Sequence, residues 1–164
     1  MRLLSADPAT IFLGQAVLVP GTAMSTTLRD VPDVKKIEFP VAEDFQLGAA
    51  IGMSLCGTLP VCIFPRWNFL LLAMNQLVLH MDKLPVYSHG GYRPKVIVRT
   101  AVATDEPLNP GPQHLGDFTD AVRAMLTTVQ IYELRTASDV RWSYKHALER
   151  DGSTILVEYA KNYT

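Results

Sequence analysis

The run Leu59-Pro60-Val61-Cys62-Ile63-Phe64 carries no charged side chain and almost nothing polar. A strand with one wet face alternates polar and apolar residues. One that is apolar throughout is covered on both faces, as happens in a parallel sheet with helices packed above and below. Helical patterns flank this run on both sides. Leu47, Ala50, Ile51 and Leu55 recur at helical spacing before it, with Cys56-Gly57 as a glycine cap. After it Leu70, Leu71, Met74, Leu77, Val78 and Met81 fall three and four apart from Trp67 onward, and Pro85 stops the pattern.

The same alternation runs through the rest of the chain. Thr10 to Val17 reads as a first strand with the apolar run Ile11-Phe12-Leu13, and Val34 to Phe39 as a second with Ile37 and Phe39 alternating. Val19-Pro20-Gly21-Thr22-Ala23-Met24 is turn-rich. Val96-Ile97-Val98-Arg99 is a strand, Asp117 opens a short helix, and Val129-Gln130-Ile131-Tyr132 is a strand. Ser138-Asp139 caps a helix carrying Val140, Tyr144, Ala147 and Leu148, and Ile155 to Val157 is the last strand. Strand and helix alternating in this way predict an α/β fold, a three-layer sandwich whose central sheet is mostly parallel. The longest irregular stretch, Ala101 to Gln113, holds three prolines, one glycine and two acids. Loops of that length in compact domains are often functional.

With 164 residues, 48% of them hydrophobic, the chain fits one domain spanning 1–164. A net charge of -1 gives no electrostatic reason to expect nucleic acid or an anionic membrane as a partner. Cys56 and Cys62 are the only cysteines, read as buried, reduced thiols. Asp7 and Pro8 interrupt the start before any long apolar region, and no run of 18 apolar residues follows, so a cytoplasmic location is expected. There is no G-x-G-x-x-G fingerprint, P-loop, nucleophile elbow or convincing zinc spacing.

Phe39-Pro40-Val41-Ala42-Glu43-Asp44 places a carboxylate where an extended apolar segment meets a helix that carries Gly48 and Gly52. Asn68-Phe69, Met74-Asn75-Gln76, Gln113-His114 and Ile155-Leu156-Val157-Glu158 follow in order. This succession resembles the beta subunit of thiamine-diphosphate-dependent 2-oxo acid dehydrogenases, and more narrowly its transketolase-like pyrimidine-binding domain. The resemblance covers nearly the whole chain, and it rests on order and spacing rather than on any single motif.

The resemblance implies the following roles. Glu43 hydrogen-bonds N1′ of the cofactor's aminopyrimidine ring, Phe69 stacks on that ring, Val41 and Pro65 line the same pocket, and His114 faces the substrate side of the thiazolium. Without the resemblance, Glu43 reads as a first-turn carboxylate favoured by the helix amides, Phe69 as a core aromatic and His114 as a solvated loop residue. Gln15 stands where the family usually has glutamate. The segment after it is shortened, and Pro65 replaces a Met or Leu. No metal ligand is assigned in this chain, because the Gly-Asp-Gly motif that holds Mg²⁺ and the diphosphate in the family is absent. An alpha-type partner with the pyrophosphate-binding domain is therefore expected, in a hetero-oligomer acting on a small 2-oxo substrate. Gly48 and Gly52, each costing about 1 kcal/mol against alanine in a helix, suggest a flat face that another backbone or a ligand approaches closely. The alternative is a non-catalytic assembly or regulatory subunit.

Overall fold

The computed structural model describes residues 1–19, 22–105 and 109–163. Pro20-Gly21, the centre of the expected turn, and residues 106–108 of the long loop lie outside these. Six strands, β1 (Thr10–Gly14), β2 (Lys36–Glu38), β3 (Leu59–Ile63), β4 (Ile97–Val102), β5 (Gln130–Leu134) and β6 (Thr154–Tyr159), form one sheet in the order β2-β1-β3-β4-β6-β5. Every neighbouring pair is parallel. β3 and β6 are buried along their whole length, and for β3 this is the covering on both faces that its apolar composition required.

Side chains alternate across each strand, and the sheet divides the core in two. On one side α3 (Glu43–Leu55), α4 (Trp67–Leu70) with its continuation, α5 (Leu84–Tyr87) and α6 (Thr119–Met125) bring Leu47, Ile51, Leu70, Leu77 and Leu84 against Leu13, Cys62, Val98 and Ile155. On the other, α1 (Arg2–Ser5), α2 (Ala23–Thr26) and α7 (Ala137–Glu149) bring Leu4, Met24, Tyr144 and Ala147 against Phe12, Val61, Ile63 and Leu156. Each buried Leu, Ile, Val, Phe or Met among these contributes roughly 2 kcal/mol by leaving water. The short α1 has no sequence signal, and it is docked by the fully buried Leu4.

Several elements differ from their sequence reading. β1 ends at Gly14, whose φ is +153° and where a Cβ would meet the Ile63 carbonyl oxygen at 2.4 Å. α7 is capped by Thr136: its Oγ1 accepts from Asp139 N at 3.2 Å, and Asp139 Oδ2 accepts from Thr136 N at 2.8 Å. Asp117 precedes α6 and accepts from Thr119 N at 3.0 Å. Cys56 is exposed rather than buried, because it sits at the end of α3 outside the packed stripe. Cys62 is buried on β3, and desolvation pushes its thiol up to about 12.

The expected single regular helix from Trp67 to Met81 changes character along its length. After α4 come a 3₁₀ turn at Leu71–Ala73 and a π-helix at Asn75–Met81, and Asp82 N reaches back to Leu77 O at 3.0 Å. The widened end delivers Asp82 to the segment before β5, where its fully buried carboxylate accepts from the amides of Thr127 (3.0 Å), Thr128 (2.7 Å) and Val129 (2.9 Å). The stripe of apolar residues had the correct face. The carboxylate contact that shapes the helix end is invisible to periodicity. No helix among the described residues is long and apolar enough to cross a membrane.

Candidate functional site

From β1 the chain steps outward to β2 and then returns to β3 on the opposite side of β1. Loops leaving a parallel sheet at such a reversal diverge and open a crevice at the carboxyl ends of the strands. Gln15 follows β1, Glu43 follows β2, Pro65 and Phe69 follow β3, and His114 lies in the connection after β4. Every residue assigned a site role from sequence thus belongs to this one edge of the sheet.

Glu43 is the first residue of α3 and is only 4% exposed. Among the described residues its hydrogen-bond partner is Gln15, whose Nε2 donates to Oε1 at 3.1 Å, and no cationic side chain pairs with it. The free amides of the first helical turn favour a negative charge there. Even so, burying a carboxylate without a cation costs several kcal/mol, and such groups concentrate at functional sites.

Asn68, Phe69 and His114 form a second group. Asn68 Oδ1 lies 3.1 Å from His114 Nδ1, and the Phe69 and His114 rings have centroids 5.7 Å apart at a 42° tilt. An amide oxygen only accepts, so Nδ1 carries the hydrogen and Nε2 is the nitrogen left to face a ligand. His114 is held in turn by its backbone N–H, which donates to Gly111 O at 3.0 Å; Gly111 adopts a φ of +92°. No hydrogen bond among the described residues joins this group to Gln15 and Glu43.

Pro65 is half-buried at the end of β3. Val41 is 79% exposed and so walls nothing within this chain. Phe45, 64% exposed, packs its ring 5.7 Å from that of Phe39, which makes an open apolar band beside Glu43. At Gly48 an added Cβ would touch the Gln76 side chain of the same chain at 3.4 Å, whereas at Gly52 nothing lies within 4 Å. The flat face expected of both glycines is thus open at Gly52 alone.

Sequence reasoning gave no structural role to Gln15 or Asn68, although both shape these groups. Gln15 registered only as a departure from the resembled family, and Asn68 only as part of its motif. Among the described residues, no group of three or more His, Cys, Asp or Glu side chains is arranged to hold a metal.

A separate polar network lies deeper in the sheet. Arg99 donates to Glu158 through Nε (2.7 Å) and Nη2 (3.0 Å), the Tyr144 and Tyr163 hydroxyls donate to the same carboxylate, and the guanidinium also meets Thr27 Oγ1 at 3.2 Å. Burial alone would push Arg99 down and Glu158 up. Their mutual attraction outweighs it and holds the carboxyl below the usual range. This network lines a cavity of about 680 Å³ that includes none of the residues assigned above.

The chain is 24% identical over 160 residues to a pyruvate dehydrogenase E1 component subunit beta from Chaetosphaeridium globosum, covering 96% of this chain and 48% of that protein. It is 25% identical over 166 residues to a 3-methyl-2-oxobutanoate dehydrogenase subunit beta from Mycobacterium tuberculosis, covering 98% and 46%. It spans about half the length of these curated relatives. Its fold superposes on the inactive β4 tetramer of a split-gene transketolase with a TM-score of 0.73 and 20% identity, covering 97% of this chain and 48% of that one. Against the transketolase of Campylobacter jejuni the TM-score is 0.72 at 18% identity, with 97% and 24% covered. The profile described as transketolase, pyrimidine binding domain matches residues 1–164, and this chain belongs to that family.

Proposed function

We propose that residues 1–164 form one pyrimidine-binding domain. It acts as the beta-type half of a thiamine-diphosphate-dependent enzyme that cleaves the bond next to a 2-oxo group and transfers the acyl or hydroxyalkyl unit. The observation that carries this reading is Glu43: buried, with no cationic partner among the described residues, and presented at the carboxyl edge of the sheet by the first turn of α3. The donor set fits an aminopyrimidine. A buried carboxyl oxygen can share a proton with a ring nitrogen, and the face of Phe69 can stack on the ring.

When bound, thiamine diphosphate supplies the electron sink that such a cleavage needs. In this reading Glu43 holds the proton at N1′, Gln15 fixes the orientation of the carboxylate, and Phe69 with Pro65 positions the ring. His114, held by Asn68, presents Nε2 to the substrate. Val41, exposed here, completes the wall once an alpha-type partner is seated. In this reading that partner carries the pyrophosphate-binding domain and Mg²⁺.

The test uses the assembled complex, with hydrogen–deuterium exchange at C2 of the bound cofactor followed by NMR. Glu43→Gln is expected to retain partner and cofactor while exchange slows by about two to four orders of magnitude. Exchange at the wild-type rate in that variant would overturn the reading and favour an assembly role.

A further inference from the structure

The loop after β1 is shaped by a carboxylate from the neighbouring strand. Glu38, the last residue of β2, pairs in register with Gly14, the last residue of β1, and Phe39 N donates to Gly14 O at 2.9 Å. From there its side chain folds over the loop and accepts three consecutive backbone N–H groups: Ala16 at 2.5 Å, Val17 at 2.9 Å and Leu18 at 2.8 Å. Successive amides converging on one anion form a nest, which needs a left-handed residue within it. Ala16 supplies it at φ 56°, a conformation that costs a non-glycine residue roughly 1 kcal/mol or more unless its surroundings enforce it.

Gln15 is the residue between the Gly14 contact and the nest. Its backbone is therefore set on both sides, by Gly14 against the Ile63 carbonyl and by the amides of 16–18 on Glu38. Its side chain leaves this loop to donate to Glu43. Glu38 is itself exposed on an edge strand, where three charge-assisted bonds to backbone contribute little to the core. What they do accomplish is to hold a strained loop in the conformation in which Gln15 meets Glu43.

We infer that Glu38 is a positioning residue for Glu43, acting through the 15–18 loop and the Gln15 amide. The inference rests on the role given to Glu43 above, and it extends that role to a carboxylate that touches neither cofactor nor substrate.

The test is made on the full chain by NMR, so that it stands apart from catalysis. In Glu38→Ala the amides of residues 16–18 are expected to exchange roughly tenfold faster, and the Gln15 side-chain NH₂ signals to move to the positions they take in Glu43→Ala. Glu38→Gln, which keeps one acceptor oxygen, should fall between. Ala16→Val, which disfavours the left-handed conformation without touching Glu38, should displace the Gln15 signals in the same way and covers the case in which Glu38→Ala does not fold. In the assembled enzyme Glu38→Gln should lower kcat about tenfold or more with the KM for the 2-oxo substrate unchanged. Gln15 signals unmoved in Glu38→Ala or Ala16→Val, with the 16–18 amides freed, would overturn the inference. Normal C2 exchange in Glu43→Gln would instead overturn the functional reading while leaving the loop coupling intact.

Discussion

Gln15 Nε2 lies 3.1 Å from Glu43 Oε1, joining residues 28 apart in the chain across the carboxyl ends of β1 and β2. An amide donor at this point supports the carboxylate, whereas a glutamate in its place would share a proton with it.

Gln15→Glu should therefore change how stability depends on pH. Two carboxyls at hydrogen-bonding distance cannot both ionise readily, so the folded variant retains a proton that the unfolded chain releases near pH 4. A carboxyl raised in the folded state loses stability as pH rises toward its folded value. Relative to wild type, the variant should be less stable at pH 8 than at pH 5, by about 1.4 kcal/mol for each tenfold weakening of the acid on folding. Urea unfolding at the two pH values measures this, and parallel stability for both proteins would show that the pair is not coupled.

Asn68→Ala removes the acceptor that fixes the tautomer of His114. In the assembled enzyme it should lower kcat about tenfold, and His114→Ala about a hundredfold, while thermal stability of the chain stays within about 1 kcal/mol of wild type. Steady-state kinetics beside thermal melts separates the two effects. Full activity in His114→Ala would remove the histidine from the mechanism.

Asp82→Asn should be among the more destabilising single changes, costing about 2–4 kcal/mol, since one buried carboxylate serves three backbone amides and Lys83 Nζ at 2.8 Å. Burial alone would raise this carboxyl. The bonds from Lys83 and from the amides of Val129, Thr128 and Thr127 outweigh it and hold it well below the usual range. A depressed carboxyl contributes stability that is complete above the unfolded value of 3.8 and is lost as pH falls toward the folded one. The melting temperature of wild type should therefore fall more steeply than that of Asp82→Asn between pH 5 and pH 2.

Gly52→Ala should stabilise the chain by about 0.5–1 kcal/mol, because an added Cβ meets nothing within 4 Å and glycine is the weaker helix former. Gly52→Leu should keep that stability but reduce assembly with an alpha-type partner at least tenfold if the open face is the contact. Undiminished assembly, read by analytical ultracentrifugation, would place the partner elsewhere.

The sheet was legible because its strands announce themselves over a few residues. Leu59 to Phe64 is apolar on both faces and became a fully buried central strand, and the 3.6-residue stripes beside it became the covering helices. Glu43 could be placed at the start of α3 for the same local reason. A helix begins where the apolar stripe begins, and carboxylates favour its first turn.

Tertiary structure alone decided what those residues meet. Gln15 reaches Glu43 across 28 positions and His114 reaches Asn68 across 46, while Asp82 reaches Val129 across 47 and draws the preceding helix into a π turn. The exposure of Val41 and Cys56, and the different surroundings of Gly48 and Gly52, likewise follow from which elements pack together. Hydropathy patterns report a residue's own helix or strand over two to four positions. Strand register and helix docking set the distant partner, and in this chain those partners orient the carboxylate and the imidazole.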